Sequence, residues 1–278
     1  MRDAFAYCAE LVRGADRDRY LAALFAPAER RQALHALYAF NIEIARVREA
    51  VRQPLPGEIR LQWWTDVLAG ERGDEARANP VAAALLAVLE RHRLASDKLA
   101  GLVDAHRADL YEEPIRGMRD LETHLTTTSS ALLALAGQIL ADDELVHIAE
   151  PAGIASGIVA LLYGFPSHAS RHQLYVPIDV LERHHVQGAE IFAGQSSTRI
   201  AAALAELRAT ARQHLARARE RMIRLPAAAL PAFLPVSLVR PSLDRLDRSD
   251  AFKPAEIAPW RRQWLIWRAA RNPARIAR

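Results

Sequence analysis

Two imidazoles and a guanidinium crowd into His168–His172, and His184 and His185 follow as a second histidine pair. Imidazoles act as acids, bases or metal ligands near neutral pH, and a guanidinium grips phosphate or carboxylate through paired hydrogen bonds. Three readings fit His168, Arg171 and His172: side chains satisfied locally or exposed, contacts to an anionic ligand, and metal ligation. No aspartate or glutamate stands between Ile154 and Arg171 to share a cation with them. Upstream, the stretch Arg30–Val51 carries Arg46 and Glu49 beside Ala45. Arg46 could hold an anion directly. Magnesium wants several oxygen ligands, so Glu49 alone beside a guanidinium is a poor site for it.

A third group of residues suits a surface better than a reaction. Trp260, Trp264 and Trp267 fall on one helical face of Pro259–Arg278, ringed by Arg261, Arg262, Arg268, Arg271, Arg275 and Arg278. Such a stripe caps a core, meets a partner or lies against anionic lipid. Core capping is the expectation, because an isolated helix of this kind needs packing to persist. The lone Cys8 excludes an internal disulfide and has no histidine nearby to activate it, so it reads as structural. No glycine-rich nucleotide loop, zinc-protease motif or serine-hydrolase elbow occurs.

The elements that must position these groups read as helices. Of 278 residues, 51% are hydrophobic and 25% charged, which is a globular composition able to bury a sizeable core. Alanine and leucine dominate and favour helix. A formal charge of +4 gives no case for nucleic acid. The opening residues lack the apolar run of a signal peptide, and no uninterrupted apolar stretch nears twenty residues, so a cytoplasmic chain, or one peripheral to a membrane, is expected.

The pattern predicts helices over Asp3–Arg13, from Pro27 to about Arg52, over Glu58–Ala69 and from Pro80 to about His92. Further helices are predicted over Asp97–Glu113 with Ser96 as N-cap, Asp120–Leu140, Glu144–Leu162, Ile178–His184 and Ser196–Leu225. Gly70–Asn79 reads as a polar loop, and Gly164–Ser167 as an interruption. One all-helical domain is expected over 1–278, with 259–278 as a peripheral tryptophan- and arginine-rich helix. Along Arg30–Val51, the residues Leu37, Phe40, Ile44, Val47 and Val51 form one apolar arc, with Ala45, Arg46 and Glu49 along its flank. Taken alone, that flank is a solvated outer face with helical pairs such as Glu43–Arg46 and Arg46–Glu49. Trp63 and Trp64 suit core packing, or the wall of an elongated apolar pocket.

The run Leu37-Tyr38-Ala39-Phe40 resembles the opening of the first catalytic helix of the squalene/phytoene synthase family. Asp109-Leu110 and Leu133–Gln138 are similar to later family segments. Gln173–Val186, with Tyr175, Pro177, Asp179 and Leu181, looks like the stretch after its second aspartate-rich motif. The resemblance implies an isoprenoid-synthase helical bundle around a central cavity, with Phe40, Trp63, Trp64, Leu133, Tyr163 and Tyr175 as candidate cavity residues. In that family, aspartates from two motifs hold magnesium and diphosphate. Magnesium assists diphosphate departure, and the apolar cavity guides the carbocation.

Here the first motif reads Ala45, Arg46 and Glu49, and the second falls on Gly164 and His168. No catalytic residue is therefore assigned, and no metal or cofactor is expected unless the enzyme reading holds, which would need magnesium. Arg46, His168, Arg171 and His172 remain as anion-binding candidates. The string LYAFNIEIARVREAV followed by RLQWW is especially similar to a noncatalytic branch of the family that includes a mitochondrial complex I assembly factor. Three functions follow from the resemblance. A pseudoenzyme would bind an isoprenoid or other lipid, assist a membrane-complex subunit, or both, at the inner or cytoplasmic membrane. A divergent magnesium-dependent prenyltransferase is the second, and a ligand-free helical scaffold the third.

Overall fold

The computed structural model describes residues 1–51, 53–111, 113–273 and 276. Arg52, at the expected end of the Pro27 helix, and Arg275 and Arg278 of the expected basic rim lie outside the described residues. In chain order the helices are α1 (Arg2–Ala15), α2 (Arg17–Ala23), α3 (Ala28–Ala45), α4 (Val47–Ala50), α5 (Pro54–Leu68) and α6 (Gly73–Ala78). Next come α7 (Pro80–His92), α8 (Ser96–Ala108), α9 (Met118–Leu125), a π-turn (Thr126–Ser130), α10 (Ala131–Ala141) and α11 (Val146–Ser170). The chain continues through α12 (Ile178–Arg183), α13 (Gly188–Phe192), α14 (Thr198–Met222), α15 (Leu230–Phe233), α16 (Val239–Leu246) and α17 (Pro259–Arg271). The fold is all-α, and the one β-type pairing among the described residues is an isolated bridge between Asp250 and Lys253.

These helices group into two compact units, each assembled from separated segments. The first takes Met1–Tyr111, Ala131–Val146 and Leu225–Pro235. Its centre is α3, against which α1, α7 and α10 pack. Every residue from Ala33 to Phe40 is buried. The sequence predicted a single apolar arc, but Ala33, Ala36 and Ala39 are small enough for neighbours to close over the remaining faces, which makes α3 a core helix instead of a half-wet one. Asn79 caps α7, its side-chain oxygen accepting from the amides of Val81 and Ala82 at 2.9 and 3.0 Å. Ser96 does not cap α8 as expected; Ala95 occupies that position without a side-chain bond. Part of the expected polar loop after Gly70 is the short helix α6.

The second unit takes Glu112–Ser130, His147–Arg224 and Val236–Arg278. Its long helices are α11 and α14. By length and composition α11 could cross a bilayer, although its apolar residues do not form one uninterrupted run, but the helix is mostly buried within the protein. Glycines let neighbours approach it closely: a Cβ at Gly153 would lie 2.6 Å from the Ser130 backbone nitrogen, and one at Gly157 would lie 2.6 Å from the Leu125 side chain. Contrary to expectation, α11 runs on through Gly164–Ser167 to Ser170 and carries Pro166 within it. Ser197 caps α14, accepting from the Ile200 amide at 3.1 Å. The stripe Ile200, Ala203, Leu204, Leu207, Ala211, Leu215 and Ala218 is its buried face.

Candidate functional site

Within the first unit, the expected long helix breaks at Arg46, between Ala45 and Val47. Arg46 closes α3, its amide bonding to the carbonyl of Ile42, and Val47 starts the one-turn α4. Ile44 and Val47 are buried, Ala45 is half-buried, and the side chains of Arg46 and Glu49 are exposed. Position 45 offers no donor atom, and position 46 presents a cation. Phe40 and Trp64 pack edge to face in the core, with ring centroids 5.0 Å apart, and Trp63 adds a second edge contact to Trp64. The Trp63 indole donates to Glu75 at 2.8 Å, so it is tied to α6. Leu133 is half-buried on α10.

Within the second unit, His168 lies on Gly164. A Cβ at position 164 would sit 2.5 Å from the imidazole Cε1. The ring also faces Tyr175, centroid to centroid at 4.7 Å, and His124 approaches the same tyrosine at 6.2 Å. His168 and Tyr175 help line a small pocket with Phe165 and Leu207, which has room for about one water-sized body. His172 leaves this group: its backbone is left-handed, with φ at 56°, and its ring packs on Phe192 at 4.9 Å. Arg171 is exposed. Tyr163 donates to the carbonyl of Ala255 at 3.4 Å.

Several acids in each unit are engaged by other groups. In the first unit, Glu58 accepts from Arg107 at 2.5 Å and from Tyr111 at 2.9 Å, and Asp109 faces His106 at 3.1 Å. Gln62 and Arg72 hold the Asp66 carboxyl below the usual range, and Trp63 and Arg72 do the same for Glu75. In the second unit, Glu206 is held down by Arg183 at 2.5 Å, with His184 at 3.1 Å. Glu122 meets the buried His214 at 2.8 Å. Among the described residues, no group of three or more His, Cys, Asp or Glu side chains could hold a metal ion. The positions that the resemblance gives to the two motifs do not fit magnesium: Ala45 and Gly164 supply no ligand, Arg46 repels the ion, His168 is folded onto its own helix, and Glu49 supplies a single carboxylate.

Two buried groups escaped the sequence reading. His35 is 4% exposed, stacks on Tyr20 at 5.3 Å, and has its Nε2 buried without a hydrogen-bond partner. Burial, with Arg31 nearby, pushes its pKa down to about 4. His214 sits on the buried stripe of α14, where helical periodicity could have found it. Cys8 is fully buried, as a structural cysteine should be, and desolvation pushes its thiol up to about 12.

The tryptophan helix departs from its expected role. Leu265, Ile266 and Ala269 bury α17, while Trp260, Trp264 and Trp267 are 70%, 46% and 49% exposed. The core is capped by the opposite face, so the indoles are left to solvent.

The family model for squalene/phytoene synthase matches residues 12–268. The chain belongs to the squalene/phytoene synthase family. It is 33% identical over 250 residues to the Rattus norvegicus protein named NADH dehydrogenase (ubiquinone) complex I, assembly factor 6, a match covering 89% of this chain and 75% of that one. The Homo sapiens protein of the same name is 32% identical over 246 residues, covering 88% and 74%. Among solved structures, a dehydrosqualene synthase in complex with ligand superposes with a TM-score of 0.82 at 17% identity, covering 96% of this chain and 95% of that one. This likeness shows the isoprenoid-synthase fold.

Proposed function

We propose that this chain is a noncatalytic squalene/phytoene synthase family member that assists assembly of a membrane-embedded NADH dehydrogenase. The observation that carries this reading is the chemistry at the two motifs. Positions where active family members present magnesium-binding acids hold Ala45 and Arg46, and Gly164 under the His168 imidazole. Glu49 alone does not replace a carboxylate cluster, because magnesium keeps an octahedral shell of oxygens and diphosphate departure needs that charge. The relatives' names supply the alternative role, since the similar Rattus norvegicus and Homo sapiens proteins are named as complex I assembly factors.

Two measurements test this reading. Purified chain incubated with magnesium and farnesyl or geranylgeranyl diphosphate should release no pyrophosphate above a protein-free control. Turnover that disappears in Glu49→Gln would overturn the noncatalytic assignment. Deleting the gene should lower the amount of assembled NADH dehydrogenase on native gels, and re-expressed chain carrying Glu49→Gln should restore it. Unchanged complex levels after deletion would sink the assembly role.

A further inference from the structure

We propose that α17 docks on anionic lipid bilayers through the ridge Trp260, Trp264 and Trp267. The inference deepens the assembly reading, on which its biological setting rests, by naming the surface that meets the membrane. The three indoles recur at i, i+4 and i+7, so they line one side of the helix over about 10 Å. They are not loose core residues, because Leu265, Ile266 and Ala269 already fix the other side. Other large exposed apolar residues, such as Leu55, Tyr111 and Ile223, are scattered along the chain.

Charge decides the occupant. No acid stands from Ile257 to Arg271, whereas Arg261, Arg268 and Arg271 do, and Glu256 is the nearest acid before them in sequence. The Arg268 guanidinium lies 4.4 Å over the Trp264 ring, and that of Arg271 lies 5.5 Å over Trp267. Each pair thus holds a cation at the level of an amphipathic ring. A surface that complements this needs continuous negative charge with apolar depth directly beneath it. An anionic bilayer has both, since tryptophan settles at the headgroup level and basic residues are drawn to acidic lipid. An acidic protein would instead need separate pockets to receive three indoles from a convex helix.

Co-sedimentation of the full chain with unilamellar vesicles tests the ridge. Vesicles with about a third phosphatidylglycerol should bind at least about tenfold more tightly than pure phosphatidylcholine, and the difference should shrink with salt. Arg268→Glu/Arg271→Glu should weaken binding to the anionic vesicles by about thirtyfold or more, while Arg268→Lys/Arg271→Lys retains it. Trp264→Ser/Trp267→Ser should weaken binding to both vesicle types. Trp264, Trp267 and Arg271 are exposed, and Arg268 is half-buried against Trp264 and away from Leu265, Ile266 and Ala269, so thermal melts of the variants should match wild type, and a melt that falls would assign the ridge to packing and overturn the proposal. Equal partitioning of wild type and the Glu variant would also overturn it, as would capture by an immobilised acidic protein without vesicle binding. If vesicles bind but gene deletion spares the NADH dehydrogenase, the assembly reading falls alone. If deletion harms the complex and vesicles fail to bind, the ridge proposal falls alone.

Discussion

The imidazole of His168 lies across Gly164, one helical turn away, closely enough that a methyl group at 164 would sit 2.8 Å from Nε2. The resemblance to the family, counted back from Pro177, sets its second acidic motif on this pair, which here makes a packing contact. Because the obstructing atoms belong to the end of a rotatable side chain, the contact is soft. Gly164→Ala should therefore change stability by less than about 1 kcal/mol, with the helix-propensity gain of alanine offsetting the displaced ring. Urea unfolding measures this, and a loss of several kcal/mol would show that the ring cannot move.

Gly153 gives the opposite expectation. Its neighbour is the backbone of Ser130, whose hydroxyl also donates to the Glu150 carbonyl at 2.8 Å. Backbone cannot swing aside, so Gly153→Ala should cost roughly 1–3 kcal/mol despite the better helix former. A stability equal to wild type would mean that α11 and the π-turn can separate at no cost.

The acid side of the stability profile should carry the signature of His35. Its folded pKa of about 4 lies below the ordinary value of 6.5, so the unfolded chain binds the extra proton between those limits. Stability from this group is complete above about pH 6.5 and is lost as pH falls toward 4, at about 1.4 kcal/mol per unit. Wild type should lose roughly 2 kcal/mol more than His35→Phe between pH 7 and pH 5, because phenylalanine keeps the Tyr20 stack and removes the titrating nitrogen. Parallel pH profiles for the two proteins would refute the assignment.

The helical class and most long helices were legible because alanine- and leucine-rich stretches between prolines leave few alternatives. The family was legible from Tyr38, Tyr175 and their neighbours. What periodicity could not supply was how closely neighbours approach. The alanines of α3 carry no amphipathic signal, yet their small size is why Ala33–Phe40 is buried all round. Asp120–Leu140 reads as one helix, but the hydroxyls of Thr126, Thr127 and Thr128 donate to carbonyls a turn back, at 2.8, 3.3 and 2.7 Å, where the chain widens into a π-turn. The partnership of His214 with Glu122 joins residues far apart in sequence, which no local pattern encodes. Residue types alone gave Ala45, Arg46, Gly164 and His168 as candidates, while the contact of His168 with Gly164 needed coordinates.

Cys8 gives a direct probe of the first unit. Burial pushes its thiol up to about 12, with the Glu43 carboxylate opposing ionisation further, and its side chain has no exposed surface. Since the thiolate is the reactive form, a disulfide reagent at pH 8 should leave the native chain unmodified and label it within seconds in denaturant. Under native conditions, slow labelling should follow opening of α1, so that Val12→Ala, which empties a buried position on the same helix, accelerates it. Fast labelling of the folded wild type, with no acceleration in that variant, would place the sulfur in solvent and contradict the packing of α1 on α3.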